Sequence, residues 1–449
     1  MRGVGAVLAG VAVLVVAGCA RAPYSTDTRA TSSMVNFASF AASPLPIVRY
    51  GVAGGGCADQ AVTTSPPTPI SVAGRSEFQF KATLTGLSTG TTYCYRVFQG
   101  SNDLLGNYPS ATFRTAPAPG DPAPFSFAVV GDWGAGTPDE GRVLGQIAAS
   151  PAQFVVTVGD NVYPNGSESD FGDVVGGNVF PLSYWPVVGT SKPVFAAIGN
   201  HDMELFSSGG LPFLQNFPQD VTAAASGGRF RQDAYCCTPT HPDAEKLASA
   251  WYAFDWGAAR FYVLQAAWKG VPLDTQYESD FTAHWKGPAA GCEPCGAQLA
   301  WLKADLAAHS STNLKFAFFH YPLHSDASPE SDRFLNGPRA LEGVLADNGV
   351  KIVFNGHSHI YERNLPQIAG QPLVSYVTGA GGAELGLIMQ CSGFDAYAIG
   401  DGTSCRAPVP TSSAQVFHYL LVRVNGTQVT VTPTDEAGRT FDTKTYSFP

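Results

Sequence analysis

The sequence predicts an N-terminal antiparallel β-sandwich followed by an α/β domain, and three observations carry this prediction. Over residues 45–116 apolar side chains such as Phe78, Phe80 and Ala82 alternate with polar ones, the period of strands with one buried face. Residues 117–124 are rich in proline, which is typical of a linker between domains. After the linker, short continuous apolar runs alternate with segments of helical period, a pattern that indicates largely parallel strands covered on both faces.

Length and composition limit the classes of protein that remain. A chain of 449 residues has room for two or three domains, and 12% aromatic residues argue against disorder. The formal net charge of −10 argues against a general nucleic-acid partner, which would need a basic face. The oligomeric state does not follow from composition.

The first residues have the pattern of an export signal. Residues 3–18 are uncharged and apolar, and this stretch is too short for a good membrane span of about 20 residues. Small residues directly before Cys19 resemble the lipobox of bacterial lipoproteins, in which the cysteine carries the lipid. The alternative is an ordinary signal peptide cleaved near Ala20 or Ala22. We therefore expect an exported cell-envelope protein, anchored to the membrane through Cys19 or otherwise secreted.

These patterns divide the chain into five segments. They are a signal peptide (1–19), a polar tether (20–43), the β-sandwich (44–116), the linker (117–124) and the α/β domain (125–449).

The other eight cysteines form an even set, which in an exported chain indicates disulfides. Cys57 with Cys94 and Cys391 with Cys405 are the plausible local pairs.

A third pair, Cys292 and Cys295, has the spacing of half a zinc site or of a redox pair. Because Cys236 and Cys237 are the other two cysteines and export favours oxidation, we expect structural bridges among these four.

The α/β domain contains five apolar runs that end in side chains able to bind a metal. The runs cover residues 125–130, 154–158, 193–198, 314–319 and 351–354. The side chains that follow them are Asp132; Asp160 and Tyr163; Asn200 and His201; His320 and His324; and His357 and His359. Helical periods separate the runs, and residues 251–265 and 416–431 have the pattern of hairpins. The insertion at 203–250 has no assignable pattern.

The order of these side chains predicts a dinuclear metal centre. Ligands collect at the carboxyl ends of strands in α/β sheets, and glycine before the ligand permits a tight turn and a close backbone approach. Hard oxygen donors mixed with imidazoles suit transition-metal ions, and one carboxylate can bridge two of them. A pair of ions about 3.5–4 Å apart activates water and neutralises a phosphoryl group in two-metal hydrolases.

The five motifs in this order resemble the purple acid phosphatases, within the calcineurin-like metallophosphoesterases. The motifs are Gly-Asp, Gly-Asp-x-x-Tyr, Gly-Asn-His-Asp, His and Gly-His-x-His, and Gly356-His-Ser-His-Ile-Tyr-Glu-Arg363 is close to the form found in that family. The resemblance implies a fibronectin type III-like sandwich at 44–116. It also implies a metallophosphoesterase domain, a two-sheet β-sandwich flanked by helices, at 125–449.

The ligand set comes with this resemblance. Most metallophosphoesterases carry Asp-x-His in the first motif, whereas Gly134 stands at the histidine position here and Tyr163 would supply the missing ligand. The implied ligands of Fe(III) are Asp132, Asp160, Tyr163 and His359. The implied ligands of a divalent Fe, Zn or Mn ion are Asp160, Asn200, His320 and His357.

The implied reaction is hydrolysis of a small phosphate monoester by an acid phosphatase, with metal-bound hydroxide attacking phosphorus in line. His201 and His324 are the candidates that bind phosphate or protonate the leaving group, and an acidic optimum is expected. Asp202 is expected to orient its neighbours.

Two alternatives stay open at this stage. One is a phosphodiesterase or nucleotide hydrolase with the same site, and the other is a non-catalytic binding lipoprotein. The remaining histidines fit no motif and are expected at the surface or in structural roles; they are His241, His284, His309 and His418.

Overall fold

A computed structural model describes residues 18–203, 212–219, 251–267, 297–327 and 335–448. Its elements form two regions of the chain, which meet in one continuous sheet.

The N-terminal region is a sandwich of two antiparallel sheets. Its strands are β1 (Cys19–Thr26), β2 (Ser32–Ser39), β3 (Ile47–Val52), β4 (Gln60–Thr63), β5 (Thr68–Val72), β6 (Arg75–Thr85), β7 (Thr92–Gln99), β8 (Asn102–Asp103) and β9 (Ala111–Arg114). Strands β1, β2, β6 and β5 lie side by side, and β4, β3, β7, β8 and β9 form the facing sheet. Phe37 and Phe80 stack in the core between the two sheets, with their ring centroids 5.5 Å apart.

The predicted tether over residues 20–43 is wrong. Most of this segment forms β1 and β2, and β2 pairs with β6 over eight residues, from Ser32 opposite Thr85 to Ser39 opposite Phe78. The small polar residues are compatible with strands because Val35 and Phe37 supply a buried apolar face.

Cys19 begins β1 and is 1% exposed, with its thiol donating to the carbonyl oxygen of Arg21 at 2.7 Å. Lipidation of Cys19 stays a prediction, and it would require the first residue of β1 to leave the core.

The second region consists of two sheets and short helices. Its strands are β10 (Phe125–Val130), β11 (Val155–Val158), β12 (Val194–Ala197), β13 (Tyr252–Trp256), β14 (Ala259–Val263), β15 (Leu314–Phe318), β16 (Ile352–Asn355), β17 (Tyr361–Asn364), β18 (Val374–Thr378), β19 (Asp395–Gly400), β20 (Thr403–Cys405), β21 (His418–Asn425), β22 (Gln428–Asp435) and β23 (Lys444–Ser447). Its helices are α1 (Pro138–Ala149), α2 (Glu168–Phe171), α3 (Trp185–Gly189), α4 (Pro212–Asn216), α5 (Ala297–Ala308) and α6 (Leu341–Asp347).

The two sheets are mixed rather than largely parallel. In the order β23-β22-β21-β10-β11-β12-β1-β2-β6-β5, only the pairs from β10 to β1 are parallel. The second sheet has the order β13-β14-β15-β16-β18-β17-β19-β20, with parallel pairs from β14 to β18. Antiparallel hairpins flank both parallel centres because their loops are too short for a crossover.

The N-terminal sandwich joins the second region edge to edge. Strand β1 pairs in parallel with β12 at Thr26 and Val194, so one sheet of the sandwich continues the ten-stranded sheet. The domain boundary predicted at the linker stays a prediction. The linker residues 117–124 contain no strand or helix.

Aromatic side chains fill the space between the two sheets. Phe127 of β10 meets Phe261 of β14 edge to face, with their ring centroids 5.2 Å apart. Helix α1 covers the outer face of the first sheet, and α5 and α6 cover that of the second. These helices present the apolar faces that the sequence predicts, and the two-sheet architecture with flanking helices is therefore confirmed.

The predicted disulfides Cys57–Cys94 and Cys391–Cys405 are present. The four cysteines expected to form further bridges, the histidines at 241 and 284 and most of the 203–250 insertion lie outside the described residues. Within the described ranges, no helix combines the length and apolarity that crossing a membrane requires.

Candidate metal centre

Five strands from both sheets deliver the predicted ligands to one place. Strands β10, β11 and β12 belong to the first sheet, whereas β15 and β16 belong to the second. Because these strands are parallel within each sheet and the sheets pack face to face, their carboxyl ends meet. The site therefore lies across a sheet-on-sheet interface rather than at the edge of one open sheet.

One group of side chains surrounds the hydroxyl of Tyr163. This oxygen lies 3.1 Å from Asp132 Oδ1, 3.0 Å from Asp160 Oδ2 and 3.1 Å from His359 Nε2. Asp132, Asp160 and His359 offer ligand atoms within 4.8 Å of one another. Two carboxylates, a phenol and an imidazole thus converge on a volume suited to a single metal ion.

A second group shares Asp160 with the first. Asp160, His320 and His357 offer ligand atoms within 4.8 Å of one another. The side-chain oxygen of Asn200 lies 2.9 Å from His320 Nε2, which lies 3.3 Å from Asp160 Oδ1. All seven predicted ligands are therefore brought into two groups that meet at one carboxylate.

Backbone carbonyls orient two of the imidazoles. His320 donates from Nδ1 to the carbonyl of Val158 at 2.9 Å, and His359 donates from Nδ1 to the carbonyl of Glu384. A hydrogen bond at Nδ1 leaves the lone pair on Nε2, the atom that faces the carboxylates. This is the arrangement that metal-binding histidines need, and the donor set fits two ions.

The carboxylates make the centre attractive to cations. Burial lowers the pKa of His320, but the charges of Asp160 and Asp132 outweigh it and raise that pKa to about 9. Burial, followed by the same two carboxylates, raises the pKa of the Tyr163 phenol well above its ordinary value. Protonated Tyr163 would therefore need a strongly polarising cation to become a phenolate ligand.

The backbone is strained where the ligands stand. Asp132, Asp160 and His357 have φ angles of 54°, 47° and 68°, in the left-handed region that few non-glycine residues adopt. Gly159 precedes Asp160 at φ 95°, and a Cβ there would lie 2.4 Å from His320 Nδ1. At these strand-to-loop turns the two sheets approach closely, and the turn therefore requires either a glycine or a ligand residue with a left-handed backbone.

Gly134 explains why the first motif has no histidine. A Cβ at this position would lie 2.0 Å from the carbonyl oxygen of Asn161 and 2.9 Å from Cα of Val162. The carbonyl of Gly134 also accepts a 2.8 Å hydrogen bond from the backbone N–H of Tyr163. The chain that presents Tyr163 fills the space that a side chain at 134 would occupy.

The two predicted catalytic histidines differ in position. The backbone N–H of His201 donates to Asp160 Oδ1 at 2.9 Å, and its ring lies 4.5 Å from that of Tyr163. His324 instead pairs through Nε2 with Glu342 Oε1 at 3.0 Å and joins neither ligand group. His201 thus borders the centre, and His324 is held by α6.

Sequence reasoning missed Asn161, which organises the β11 turn. Its side-chain oxygen accepts from Trp133 Nε1 at 3.2 Å and from the Thr157 hydroxyl at 2.6 Å. Its amide nitrogen donates to Asp202 at 2.8 Å, and burial with the Asp160 charge raises the pKa of Asp202 to about 8. Asp202 also accepts from the backbone of Gly199, as its predicted orienting role requires. The position directly after a ligand aspartate was the only available sequence signal.

His418 and His309 are the two remaining histidines within the described residues. His418 is buried beside Thr378, with its Nδ1 donating to the carbonyl of Val416, and burial lowers its pKa to about 4. His309 pairs with Asp305 at the end of α5. Both have structural positions.

Comparison with known families shows to which family the chain belongs. The sequence model described as "Calcineurin-like phosphoesterase" matches residues 125–361, more than half of the chain. The chain belongs to the calcineurin-like phosphoesterase family. The model described as "Purple acid Phosphatase, N-terminal domain" matches residues 23–115, which include all but the first three residues of the segment predicted to be a tether.

The curated relatives of this calcineurin-like phosphoesterase include plant purple acid phosphatases. Purple acid phosphatase 22 of Arabidopsis thaliana is 25% identical over 62% of this chain and 51% of its own length. Purple acid phosphatase 23 of the same plant is 27% identical over 62% of this chain and 56% of its own length. The chain thus spans about half the length of these relatives.

Solved structures share the fold. The purple acid phosphatase PPD1 from seeds of yellow lupin (Lupinus luteus) has a TM-score of 0.67 and 17% identity, covering 96% of this chain and 75% of that one. The structure of PhoD has a TM-score of 0.56 and 14% identity, covering 96% of this phosphoesterase and 92% of that chain. At these identities the likeness establishes the fold alone.

Proposed function

We propose that this protein is a dinuclear-metal hydrolase of small phosphate monoesters, of the acid phosphatase type. The observation that carries the proposal is the pair of ligand groups that share Asp160, with the Tyr163 hydroxyl inside one of them. Membership of the calcineurin-like phosphoesterases supports the chemistry. The similarity to purple acid phosphatases supports the choice of monoesters.

The donor set suits two different ions. The group with Asp132, Tyr163 and His359 combines hard anionic oxygens, which favour Fe(III), whereas the group with Asn200, His320 and His357 suits divalent Fe, Zn or Mn. When bound, the ions supply Lewis-acid activation of water and neutralise the phosphoryl charge.

The protein's own residues would orient and protonate the substrate. His201 is proposed to bind phosphoryl oxygens or to protonate the leaving alkoxide, supported by the contact of its ring with Tyr163 and the bond from its Nδ1 to the carbonyl of Pro164 at 2.6 Å. Asp202 and Asn161 would hold the turn that carries Asp160 and His201. His324 is proposed to act only as a positioning residue, because its Nε2 is held by the Glu342 carboxylate at 3.0 Å and it joins neither ligand group.

The substrate class is testable with two synthetic esters. We expect the kcat/KM of the purified protein for p-nitrophenyl phosphate to be about 10²-fold higher than that for bis(p-nitrophenyl) phosphate. In the diester the second aryl group is attached to a phosphoryl oxygen, and this oxygen loses its favourable polar contacts with the site. Equal or reversed preference would favour the phosphodiesterase alternative. A folded protein that binds no metal and cleaves neither ester would favour the binding-protein alternative.

Iron bound by Tyr163 has a spectroscopic signature. The purified protein is expected to show a broad visible absorption band from tyrosinate-to-Fe(III) charge transfer, and Tyr163→Phe should remove it because no phenolate oxygen is left. Metal analysis of both proteins accompanies the spectra. The matched control is Tyr108→Phe, at a partly exposed tyrosine in the N-terminal sandwich, which should keep the band. A band that survives Tyr163→Phe would exclude Tyr163 as the ligand.

The remaining features of the proposal concern location and partners. We propose export to the cell envelope and a small phosphorylated substrate as the partner, with no nucleic acid. The lipid anchor at Cys19 stays a prediction from the sequence.

A further inference from the structure

A second group of carboxylates lies apart from the metal centre. It is formed by Asp326 in the loop after β15, Glu362 in β17 and Asp395 at the start of β19, and all three side chains are buried. Asp326 and Asp395 offer oxygens within 4.8 Å of each other and of the Cys405 sulfur. We call Asp326, Glu362, Asp395 and the adjacent Asn364 the β17–β19 cluster.

Three buried oxygens in this cluster have no hydrogen-bond donor among the residues that the structure describes. They are Glu362 Oε1, Asn364 Oδ1 and Asp395 Oδ2. Glu362 lies beside Asp326, since its Oε2 accepts from the backbone N–H of Asp326 at 2.8 Å. Asn364 of β17 lies opposite Asp395 of β19 in the register of these two antiparallel strands. Buried acceptors in native proteins nearly always have a partner, so these oxygens are places where a proton, a water or a cation can bind.

Within the described residues, the positive charge beside the cluster is too small to balance it. The basic side chain beside it is Arg406, whose Nε lies 3.7 Å from Asp395 Oδ2 and whose side chain is 47% exposed. One partly exposed guanidinium faces three buried carboxylates, and such charges must be paired, protonated or bound to a metal. Burial raises the pKa of Glu362 and of Asp326, and the neighbouring carboxylates add to the rise, so protons are the competing solution.

We propose that the β17–β19 cluster binds a divalent cation of the Ca²⁺ type between the carboxylates of Asp326 and Asp395, and that Glu362 and the amide oxygen of Asn364 turn toward the ion to complete its ligands. All four donors are hard oxygens, and Ca²⁺ accepts several carboxylates in an irregular geometry. The nearby sulfur of Cys405 is bonded to Cys391 and is therefore no thiolate, which disfavours zinc.

The cluster also anchors the loop that supports the metal centre. The carbonyl of Asp326 accepts from the backbone N–H of Met389 at 2.8 Å, and its carboxylate accepts from that of Ser392 at 3.2 Å. The same loop supplies the Glu384 carbonyl that orients His359. An ion at the cluster would therefore help to fix the loop that also contacts His359.

The test separates this site from the dinuclear centre. Full-length Asp160→Asn protein is stripped with chelator, and CaCl₂ alone is then added in equilibrium dialysis and in thermal unfolding. We expect about one bound calcium ion per chain and a saturable rise in Tm, since a ligand that binds only the folded state stabilises it. Neither equilibrium dialysis nor thermal unfolding measures catalytic activity, so failure of the proposed phosphatase function would leave the result unchanged.

Variants assign the calcium to the cluster. In the same background, Asp395→Asn and Glu362→Gln should each weaken calcium binding at least tenfold, whereas Asp435→Asn, at a buried aspartate paired with Arg439, should keep it. Two variants are used so that one that fails to fold leaves the other informative. Absence of bound calcium, together with a higher Tm for Asp395→Asn, would overturn the proposal and identify a proton-sharing carboxyl cluster. Calcium binding that survives both cluster variants would overturn it as well.

Discussion

The Asp160→Asn variant is expected to lose about 10³-fold or more in kcat/KM for p-nitrophenyl phosphate. The change removes the carboxylate that both ligand groups share, and this loss is larger than the loss of a single oxyanion contact. Asp160 offers Oδ2 to the group around Tyr163 and Oδ1 to the group around His320. An asparagine has one oxygen and one NH₂ group, so it cannot join two cations. Asparagine also tolerates the left-handed backbone at φ 47°, and the turn should survive.

The control for this loss is a second buried aspartate. Asp173 pairs with Arg75 at 2.5 Å between the N-terminal sandwich and the loop after α2. Asp173→Asn should lower thermal stability and keep kcat/KM, whereas Asp160→Asn should keep its circular dichroism spectrum and lose bound metal. An Asp160→Asn protein that retains two metal ions and full activity would contradict the proposed bridging role.

Gly134→Ala is expected to lower kcat/KM by about 10²-fold, because a displacement of roughly 1 Å at a reacting centre has that effect. The new Cβ would lie 2.0 Å from the Asn161 carbonyl oxygen, so the chain carrying Tyr163 must move. Its hydroxyl would then leave the 3.0–3.1 Å contacts with Asp132, Asp160 and His359. Overpacking of this kind also lowers the free energy of unfolding by about 1–3 kcal/mol. Kinetics and denaturant unfolding measure the two effects.

Gly145→Ala makes the same chemical change where there is room. Gly145 lies on the exposed side of α1, and a Cβ there meets no atom within 4 Å. This variant should gain about 0.5–1 kcal/mol in the free energy of unfolding, because alanine favours the helix, and should keep its activity. If Gly134→Ala behaved like Gly145→Ala, the close packing of the Asn161 turn would not control the position of Tyr163.

The ligand positions were predictable because each one follows an apolar run. A buried strand such as Phe125–Val130 must end where the chain reaches solvent, and the polar residue that follows is placed at that end. The glycines before the ligands indicated close packing, and the left-handed backbone of Asp132 and Asp160 agrees with that expectation. The identity of a metal does not follow from such local patterns.

Two errors had a common physical cause. The segment 20–43 consists mostly of small and polar residues, so its composition suggested a solvated tether. Pairing with β6 and β12 supplies the hydrogen bonds that make it β1 and β2, and those partners lie far away in the sequence. The mixed character of the sheets was missed for the same reason, since strand direction depends on neighbours rather than on the strand itself.

The β17–β19 cluster shows the same limit for a site. Asp326, Glu362 and Asp395 are separated by more than thirty residues at each step and share no motif. They meet because the antiparallel pairing of β17 with β19 and the loop after β15 bring their side chains together. Asn161 was likewise invisible, because its function depends on contacts with Trp133 and Asp202.

The sequence by itself determined the family resemblance, the strand ends, the seven candidate ligands and the two local disulfides. Each depends on residues near one another in the chain, where periodicity and turn chemistry act directly. The tertiary structure decided which ligands share a group, why position 134 excludes a side chain, and which buried oxygens lack a partner. These depend on packing between sheets, because desolvation and steric contact arise only when distant strands meet.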